Sequence, residues 1–371
     1  MIPTGPSTKE AVLIFCGCPV GNPPEERSRV VMRNLAAAVL LGAVLAGVRA
    51  VAGEPPALPH GPGLSAKHPG DVGIDKDPAV VLAENFEEST LDELAKRWTT
   101  VSNKDGKVLS LSKDVPPGSG GGQSVEMTAT SGLNEGGYLF TTWRPGVERA
   151  YLRFYTKFAP DHAYEHHFVE LGAYNPPTPY PNPKAGEKPN GNDRVSIFID
   201  PIGYYGKYPP LGIWCLYSYW HEMKISADNN YWGNGIWAKP VPVPRGQWQC
   251  VELMIKLNSA PQATDGELAL WVDGTPVLDV VKGVQHTLWS GMGFQVVDSG
   301  GETLPGLNLR TSMDLTINHL WLEHYTGEGA QQQNKLANPT KVNRVWFDDV
   351  VVAKEYIGPI QPAAAAPAAR P

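Results

Sequence analysis

Strict alternation of apolar and polar residues recurs through the middle of the chain. In AYLRFYTKF, Leu152, Phe154 and Phe158 fall on one side of an extended strand, and the residues between them fall on the other. RVSIFID, QCVELMIKLN and RVWFDDVVVA repeat this alternation. Each segment is therefore predicted to be a strand with one face in a core. The remaining predicted core rows are Val195, Ile197 and Ile199; Val251, Leu253, Ile255 and Leu257; and Val345, Phe347 and Val351.

Turn and helix signals complete the predicted architecture. Asp273-Gly274, between ELALWV and TPVLDV, is a tight-turn dipeptide and predicts a hairpin. TLDELAKRW, opened by a capping box from Thr90 to Glu93, is the one predicted helix of note. About a dozen short strands without βαβ alternation predict an all-β fold, a jelly-roll β-sandwich of two antiparallel sheets.

Composition and one apolar run set the predicted domain boundaries. The 371 residues include 39 Gly and 35 Pro, which suits one large domain with many turns. MRN at 32–34 and AVA at 50–52 flank the run LAAAVLLGAVLAGV, so we expect a signal peptide and a secreted or periplasmic protein. The predicted segments are a mis-assigned upstream extension (1–31), the signal peptide (32–52), a flexible linker (53–78), the jelly-roll domain (79–358) and a Pro/Ala-rich tail (359–371).

The charge balance bears on the expected partner. A formal net charge of -7 provides no general attraction for nucleic acid or for an anionic membrane surface. No stretch of the predicted mature chain is long and apolar enough for a membrane span. We therefore expect a monomeric protein whose partner is a polysaccharide, neutral or acidic.

The cysteines are few. Cys16 and Cys18 precede the predicted cleavage point, which leaves Cys215 and Cys250 in an oxidising compartment. The sequence predicts a disulfide between these two residues. A buried pair of free thiols is the alternative.

Three segments resemble a known family. GQWQCVELMIKLNSAPQATDGELALWVDGTPV is similar to the hairpin region of concanavalin A-like lectin and glucanase domains, VWFDDVVVA to their closing strand, and AENFEE to their opening strand. The resemblance covers residues 80–358. Within this superfamily the chain looks most like polysaccharide lyases of the alginate and glucuronan type and like many exported bacterial proteins. The resemblance implies a jelly-roll, carbohydrate-active protein.

Two motifs of better-defined relatives are absent from the sequence. The E-x-D-x-x-E strand motif of jelly-roll β-glucanases does not occur, which disfavours hydrolysis by paired carboxylates. The Gln-x-His motif of the commonest alginate lyase family is also missing, since Gln295 in GFQVV has no such histidine. The resemblance therefore implies a lyase by analogy of fold.

The densest polar and aromatic stretch, residues 164–237, is the predicted glycan site, because sugars stack on aromatic rings and pair their hydroxyls with polar groups. On a uronate polymer, β-elimination needs a cation for the carboxylate, a base for the C5 proton and an acid for the leaving oxygen. The predicted cation is Arg194 or Arg153, the base His166 or His221, and the acid Tyr217 or Tyr219. The predicted substrate-binding residues are Arg153, Lys157, Glu170, Tyr174, Trp220 and Trp232.

Alternation also predicts which side chains of this stretch face the site. In HHFVELGA, His167 is expected to point to the core with Val169, and the open face is expected to hold His166, Phe168 and Glu170. His166 is accordingly the preferred histidine. In IWCLYSYWHEM, the row expected to line the site is Cys215, Tyr217, Tyr219 and His221.

Carboxylates at the two ends of the predicted domain suggest a structural metal. First and last strands of such sandwiches often lie side by side, so Glu87, Glu88, Asp348 and Asp349 are expected to converge on calcium. An ordinary acidic surface is the alternative. The nine histidines include no H-E-x-x-H spacing, so a catalytic zinc site is not predicted and no cofactor is expected to be required.

Together these patterns favour a secreted carbohydrate-active protein. The leading hypothesis is a polysaccharide lyase-like enzyme that cleaves a uronate-containing polysaccharide by β-elimination. The main alternative is a non-catalytic, lectin-like glycan-binding module with the same aromatic surface and no acid–base pair. A structural or adhesion protein with an aromatic-poor face is the third hypothesis.

Overall fold

The structure is a computed structural model that describes residues 57–281, 283 and 285–362. Within these residues the regular structure consists mainly of strands. The strands are β1 (Val80–Glu84), β2 (Thr100–Ser102), β3 (Leu109–Ser112), β4 (Ser124–Thr130), β5 (Gly136–Val147), β6 (Arg149–Phe158), β7 (His167–Tyr174), β8 (Arg194–Ile202), β9 (Ile213–Tyr219), β10 (Asn234–Pro242), β11 (Trp248–Lys256), β12 (Glu267–Val272), β13 (Thr275–Val280), β14 (Gln285–Ser290), β15 (Gly293–Val297), β16 (Glu302–Leu304), β17 (Ile317–Tyr325) and β18 (Val342–Ala353). The helices are α1 (Leu91–Ala95) and α2 (Glu328–Gln333), and three 3₁₀ turns (Leu64–Lys67, Pro69–Asp71 and Ile74–Lys76) precede β1.

The strands form two sheets. Sheet I has eight strands in the order β13-β12-β11-β6-β18-β4-β3, with β1 paired to β18. Sheet II has ten strands in the order β16-β14-β15-β10-β9-β8-β7-β17-β5-β2. Pairing is antiparallel, except between β10 and β15, which are parallel. The prediction of an all-β jelly-roll sandwich is confirmed, and so is the pairing of the first and last strands.

The core lies between the two sheets and contains the predicted apolar rows, with the exception of Val351. Leu152 and Phe154 of β6 are fully buried there, as is Ile197 of β8. Phe168 of sheet II contacts Phe154 of sheet I, with ring centroids 6.1 Å apart. Burial of each such side chain contributes about 1.5–3 kcal/mol, which is the main stabilisation of the sandwich.

Two local predictions are confirmed. At α1, the Thr90 hydroxyl accepts a hydrogen bond from the backbone N–H of Glu93 at 3.2 Å, as an N-cap does. Strands β12 and β13 form a hairpin through Asp273 and Gly274. Both turn residues have positive φ, 49° and 74°, which the Asp-Gly dipeptide tolerates.

One core prediction on β18 is wrong. Val351 was expected to share the core row of Val345 and Phe347, but its side chain lies in a separate apolar cluster on the opposite face of sheet I. The register of β18 against β6 shifts after Asp348, and Asp349 has a φ of 46°. This bulge inserts one extra residue and reverses the alternation that follows it.

Residues 57–78 pack against the outer face of sheet I, the face that points away from sheet II. Ile74 is buried in a cluster with Trp271, and the Trp271 indole N–H donates to a carbonyl of the segment at 2.8 Å. Asp71 forms an ion pair with the fully buried Arg153. The flexible-linker prediction is wrong for residues 57–78, because this segment covers apolar and charged side chains of sheet I.

The first residues of the predicted Pro/Ala-rich tail also pack against the outer face of sheet I. The backbone N–H of Ile360 donates to the Tyr155 hydroxyl at 2.9 Å, so residues 359–362 also lie on sheet I. The predicted upstream extension, the signal peptide and residues 363–371 lie outside the described residues. Among the helices of the described part, none has the length and apolar character needed to cross a membrane.

Candidate active site on the outer face of sheet II

The face of sheet II that points away from sheet I, hereafter the outer face of sheet II, carries polar and aromatic side chains. On β8, Phe198 and Asp200 lie on this face, because the alternating residues Ile197 and Ile199 point into the core. Strand pairing extends the pattern into a row that crosses seven strands. The row is Phe140, Trp321, Glu170, Phe198, Tyr217, Gly235 and Gly293.

Glycines make room for the rings on this face. A Cβ on Gly233 would lie 2.5 Å from the Tyr217 ring, and one on Gly293 would lie 2.4 Å from the Trp237 indole nitrogen. Both distances are shorter than any tolerable contact. Glycine at these two positions therefore allows the two aromatic rings to lie close against the neighbouring backbone.

His167 lies on the outer face at the start of β7 and is oriented by a carboxylate. Its Nδ1 is 3.1 Å from Asp200 Oδ2, its side chain is 25% exposed, and its Nε2 has no hydrogen-bond partner among the described residues. The ring centroids of His167 and Tyr217 are 5.1 Å apart. Burial raises the pKa of Asp200, and the hydrogen bonds from His167 and the Phe168 backbone oppose the shift.

The predicted orientation at this strand start is wrong for two residues. Phe168, expected on the open face, lies in the core, with its ring centroid 4.9 Å from that of Phe347. His167, expected in the core, lies on the outer face. The register of β7 against β17 shifts between Leu322 and Tyr325, so simple alternation fails there.

A series of polar contacts leads from Tyr217 to Arg194. The hydroxyls of Tyr217 and Tyr219 are 3.3 Å apart, and the guanidinium carbon of Arg194 lies 5.3 Å from the centroid of the Tyr219 ring. Burial raises the pKa of both tyrosines; for Tyr219, the hydrogen bond with Tyr217 and the charge of Arg194 oppose the shift. Three of the predicted catalytic residues are thus brought together, and both phenols keep their protons at neutral pH.

Residues 175–193, between β7 and β8, cover part of the outer face. Arg194 Nη2 donates to the Lys184 carbonyl at 3.3 Å, and the Asn182 N–H donates to the Tyr174 hydroxyl at 3.1 Å. Arg194 is 2% exposed, and its Nε and Nη1 have no partners in the part of the chain that the structure describes. Burial lowers the pKa of Arg194. The outer face therefore has a covered part around Arg194 and an open part around His167.

The covered part holds two of the predicted substrate-binding residues. Glu170 Oε1 is 3.0 Å from His319 Nε2, and the Tyr174 ring stacks on the His319 ring with centroids 3.9 Å apart. All three side chains are buried. Glu170 and Tyr174 therefore lie buried under residues 175–193 and have a structural role there.

One buried carboxyl of this face was not predicted. Glu323 of β17 pairs in register with Tyr138 of β5, and its Oε2 has no partner within the described residues. Burial raises the pKa of Glu323 well above its usual range, and the nearby carboxylates of Asp200 and Glu170 raise it further. Alternation in INHLWLEHY could have placed Glu323 with the polar face, but this segment lies outside the stretch 164–237.

The two predicted histidine bases occupy different positions. The His166 ring centroid is 4.4 Å from that of His167 and 4.9 Å from that of Tyr325, so His166 borders the open part. Burial and the neighbouring His167 lower the pKa of His166 to about 3. His221 Nε2 is 3.2 Å from Asn308 Oδ1, away from the open part.

The other predicted substrate-binding residues do not lie in the open part. Arg153 and Lys157 belong to β6 of sheet I, where they form ion pairs with Asp71 and Asp114. Trp220 is buried in the core, 4% exposed. Trp232 donates from its indole N–H to Asp228 Oδ2 at 2.8 Å. For Trp220 and Trp232, sequence proximity within 164–237 is therefore not enough to bring the side chains to the open part.

The disulfide prediction is wrong. Cys215 and Cys250 are both free and buried. Cys215 shares the outer side of sheet II with Asp200 and Trp237, to which it is aligned on the neighbouring strands. Cys250 lies on the outer side of sheet I beside Tyr155. The whole core separates the two thiols, and sheets pack about 10 Å apart, beyond the reach of a disulfide.

Two of the carboxylates predicted to bind calcium share a cavity beside sheet I. Glu87 and Asp349 line one cavity of about 390 Å³, together with Glu84. The buried Oδ2 atoms of Asp348 and Asp349 have no partners among the described residues. Burial raises the pKa of both aspartates. Glu88 instead forms an ion pair with an arginine.

Comparisons with known proteins find solved structures with a similar fold but no match in sequence. No known family model matches the chain, and no curated protein is similar to it in sequence. Solved structures similar to it include a mutant of alginate lyase Aly36B with an alginate tetrasaccharide (13% identity, TM-score 0.48, covering 77% of this chain and 99% of that one). Alginate lyase vAL-1 from Chlorella virus has 13% identity and a TM-score of 0.48 over 74% of this chain and 99% of that one. The endo-beta-1,4-glucuronan lyase of the fungus Trichoderma reesei has 16% identity and a TM-score of 0.42 over 74% and 95%. At these identities the similarity concerns the fold alone.

Proposed function

We propose that this protein is a polysaccharide lyase-like enzyme that cleaves a uronate-containing polysaccharide by β-elimination on the outer face of sheet II. The observation that carries the proposal is the pairing of His167 with Tyr217, whose ring centroids are 5.1 Å apart on the open part of this face. Asp200 orients the imidazole, and a buried network supports the phenol. An oriented base beside a protonated acid is the arrangement that proton transfer to and from a sugar requires.

His167 is the proposed base. Its Nδ1–H donates to Asp200, which leaves the lone pair of Nε2 directed away from that carboxylate. In the proposed reaction Nε2 accepts the C5 proton of the uronate, and the electrons of the C5–H bond form the C4=C5 double bond. The C4–O bond breaks at the same time, and its electron pair goes to the leaving oxygen.

Tyr217 is the proposed acid. Burial raises the pKa of its phenol, so the hydroxyl holds the proton that the leaving oxygen needs. The proton count balances, because one proton passes to His167 and one leaves Tyr217, and both groups then re-equilibrate with water. Arg194 acts as a positioning residue, since it holds Tyr219 beneath Tyr217 and does not reach the open part.

An aromatic and cationic surface next to this pair supports polysaccharide binding. Trp237 is aligned with Gln295 on β15, and the Tyr204 ring packs edge-on against Trp237 with centroids 5.1 Å apart. The ammonium of Lys207 lies 5.4 Å from the centroid of the Tyr204 ring. Ring faces for sugar stacking beside a cation for a carboxylate suit an acidic glycan. Export through the predicted signal peptide would bring the enzyme to such polymers.

We also propose that Glu87, Asp348 and Asp349 bind a structural calcium ion. Oxygen-only donors and two buried, unpartnered carboxylate oxygens suit a hard cation. A bound ion would lower the raised pKa values of both aspartates by neutralising their charge. Dialysis against EGTA should lower the unfolding temperature, and added calcium should restore it; an unchanged temperature in both steps would contradict the proposal.

The test of the enzymatic proposal is an elimination assay on the purified protein. Alginate, glucuronan, pectin and glycosaminoglycans are each incubated with it, and the ultraviolet absorbance of the unsaturated uronate product is followed. We expect absorbance to rise with one or more of these polymers. A flat trace with every acidic polymer, together with binding on a glycan array, would overturn the proposal in favour of a non-catalytic glycan-binding module.

A further inference from the structure

Three metal-ligating side chains meet in the interior, outside the proposed active site. His162 and Glu165 belong to the connection between β6 and β7, and His324 lies near the end of β17. Glu165 Oε2 is 2.9 Å from His162 Nε2, and Glu165 Oε1 is 2.8 Å from His324 Nδ1. All three side chains are 0% exposed, and their facing atoms lie within 4.8 Å of one another.

The outward nitrogens of both imidazoles are held by backbone carbonyls. His162 Nδ1 is 3.0 Å from the Arg344 carbonyl oxygen, and His324 Nε2 is 3.2 Å from the Asn343 carbonyl oxygen. A carbonyl oxygen only accepts, so each of these nitrogens carries a hydrogen and donates it. In a neutral imidazole the other nitrogen then has a lone pair, and both lone pairs point at the Glu165 carboxylate. Three electron-rich groups that face one another need a positive charge between them, which a metal ion or a second proton on each imidazole supplies.

We propose that His162, Glu165 and His324 bind one zinc-type divalent transition-metal ion. Two imidazole nitrogens and a carboxylate form a ligand set that suits zinc, whereas calcium prefers oxygen ligands alone. Each histidine donates its second N–H to a backbone carbonyl, as metal-binding histidines almost always do. If Glu165 binds through both oxygens, the ion has four donor atoms and no open position. The proposed ion is structural, because all three ligand side chains are 0% exposed.

The surroundings hold the ligands in place. Arg245 Nη1 donates to the His162 carbonyl at 3.0 Å, and the Ala163 N–H donates to Asn343 Oδ1 at 2.9 Å. A bound ion would join the connection before β7 to β17 and would fix the chain that leads directly into His167. The proposal does not depend on the proposed lyase activity, because it rests on separate residues and is tested by metal content.

The experiment measures zinc bound to the full chain. Wild-type protein is stripped with a chelator, loaded with zinc chloride, desalted and analysed by elemental mass spectrometry, with its fold checked by circular dichroism. The variants Glu165→Gln and His324→Gln each remove one ligand, and His60→Gln removes an exposed histidine as the matched control. We expect about one zinc per chain in the wild type and in His60→Gln, and less than about a tenth of this in the two ligand variants.

A second measurement covers the case in which the ligand variants do not fold. Cobalt(II) is loaded into the wild type, and X-ray absorption reports the ligands of the ion; we expect two imidazoles and a carboxylate. A folded wild type that takes up no zinc would overturn the proposal and assign two protons to the place of the metal. Zinc retained equally by both ligand variants would overturn it as well, because the ion would then lie elsewhere.

Discussion

The outer faces of the two sheets are built from the same alternating sequence pattern, but different segments of the chain cover them. On sheet I, Arg153 alternates with core residues of β6, just as Arg194 does on β8 of sheet II. Sheet I is covered by the segment that precedes the first strand and by the segment that follows the last strand. Arg153 forms an ion pair with Asp71 of the first segment. Glu252 accepts hydrogen bonds from the N–H groups of Ile357 and Gly358 of the second, at 2.8 and 2.9 Å. Residues 175–193 cover only part of sheet II.

The open part of sheet II keeps reactive atoms that the covered sheet lacks. His167 Nε2 has no hydrogen-bond partner within the described residues, and its side chain is 25% exposed. Alternation along a strand identifies the side chains that leave the core. Whether such a side chain becomes structural or available for chemistry depends on which distant segment covers it.

The largest expected effect on stability comes from a substitution on the covered face of sheet I, which should leave the activity of sheet II unchanged. Asp71→Asn leaves the guanidinium of Arg153 buried without its carboxylate, so the free energy of unfolding should fall by about 3–5 kcal/mol. Chemical denaturation measures this change. Elimination activity per folded molecule should stay the same, and a fall of less than about 1 kcal/mol would mean that the pair behaves as an exposed one.

A pair of tyrosine variants sharpens the comparison. Tyr217→Phe removes the proposed acid, so kcat/KM should fall about 100-fold, while loss of the hydrogen bond to Tyr219 should cost no more than about 1 kcal/mol of stability. Tyr155→Phe on sheet I removes the acceptor for the Ile360 N–H and should cost about 1 kcal/mol of stability with full activity. Equal activity of the two variants would contradict the different roles of the faces.

The pH dependence of stability should reveal the titration of Glu252, a buried carboxyl on the covered face of sheet I. Burial raises the pKa of Glu252 from 4.5 to about 7 in the folded protein, so the folded state binds this proton more tightly than the unfolded chain does. Stability should therefore fall as pH rises from about 4.5 to about 7, by on the order of 1 kcal/mol per pKa unit. In Glu252→Gln this fall should be smaller. Parallel pH profiles for the two proteins would refute the assignment.

The smallest expected effect concerns the cysteines. Because Cys215 and Cys250 lie on opposite sides of the core as free thiols, a reducing agent should leave the unfolding temperature unchanged. Differential scanning calorimetry with and without the reductant measures it. A clear decrease would show that the two thiols are bonded after all.

The sequence predicts the sandwich well because the rows on β6, β8 and β11 alternate without interruption. It fails where the register shifts. The bulge at Asp348 and Asp349 turns Val351 outward, and the irregular pairing of β7 exchanges the places of His167 and Phe168. The alternation of apolar and polar residues does not show where a strand has an extra residue that its neighbour does not pair with.

Contacts between distant segments were also beyond sequence patterns. Nothing in the spacing of Asp71 and Arg153 indicates their ion pair, and the cluster of His162, Glu165 and His324 joins positions that share no short motif. By contrast, Arg194, Tyr217 and Tyr219 were placed together from sequence because they lie on adjacent strands of regular register. The spacing of apolar residues along a strand predicts which face of the sheet a side chain occupies. Contacts between separate segments become visible only in the folded structure.

The most direct test of the proposed site compares wild type with His167→Ala on a uronate polymer that the wild type cleaves. We predict a loss in kcat/KM of about 10²–10⁴-fold per folded molecule for His167→Ala, together with a lower unfolding midpoint, because the buried Asp200 carboxylate loses its histidine partner. His221→Ala, which removes a histidine held by Asn308 away from the open part, should stay within a few-fold of wild type. Full activity of His167→Ala would contradict the account.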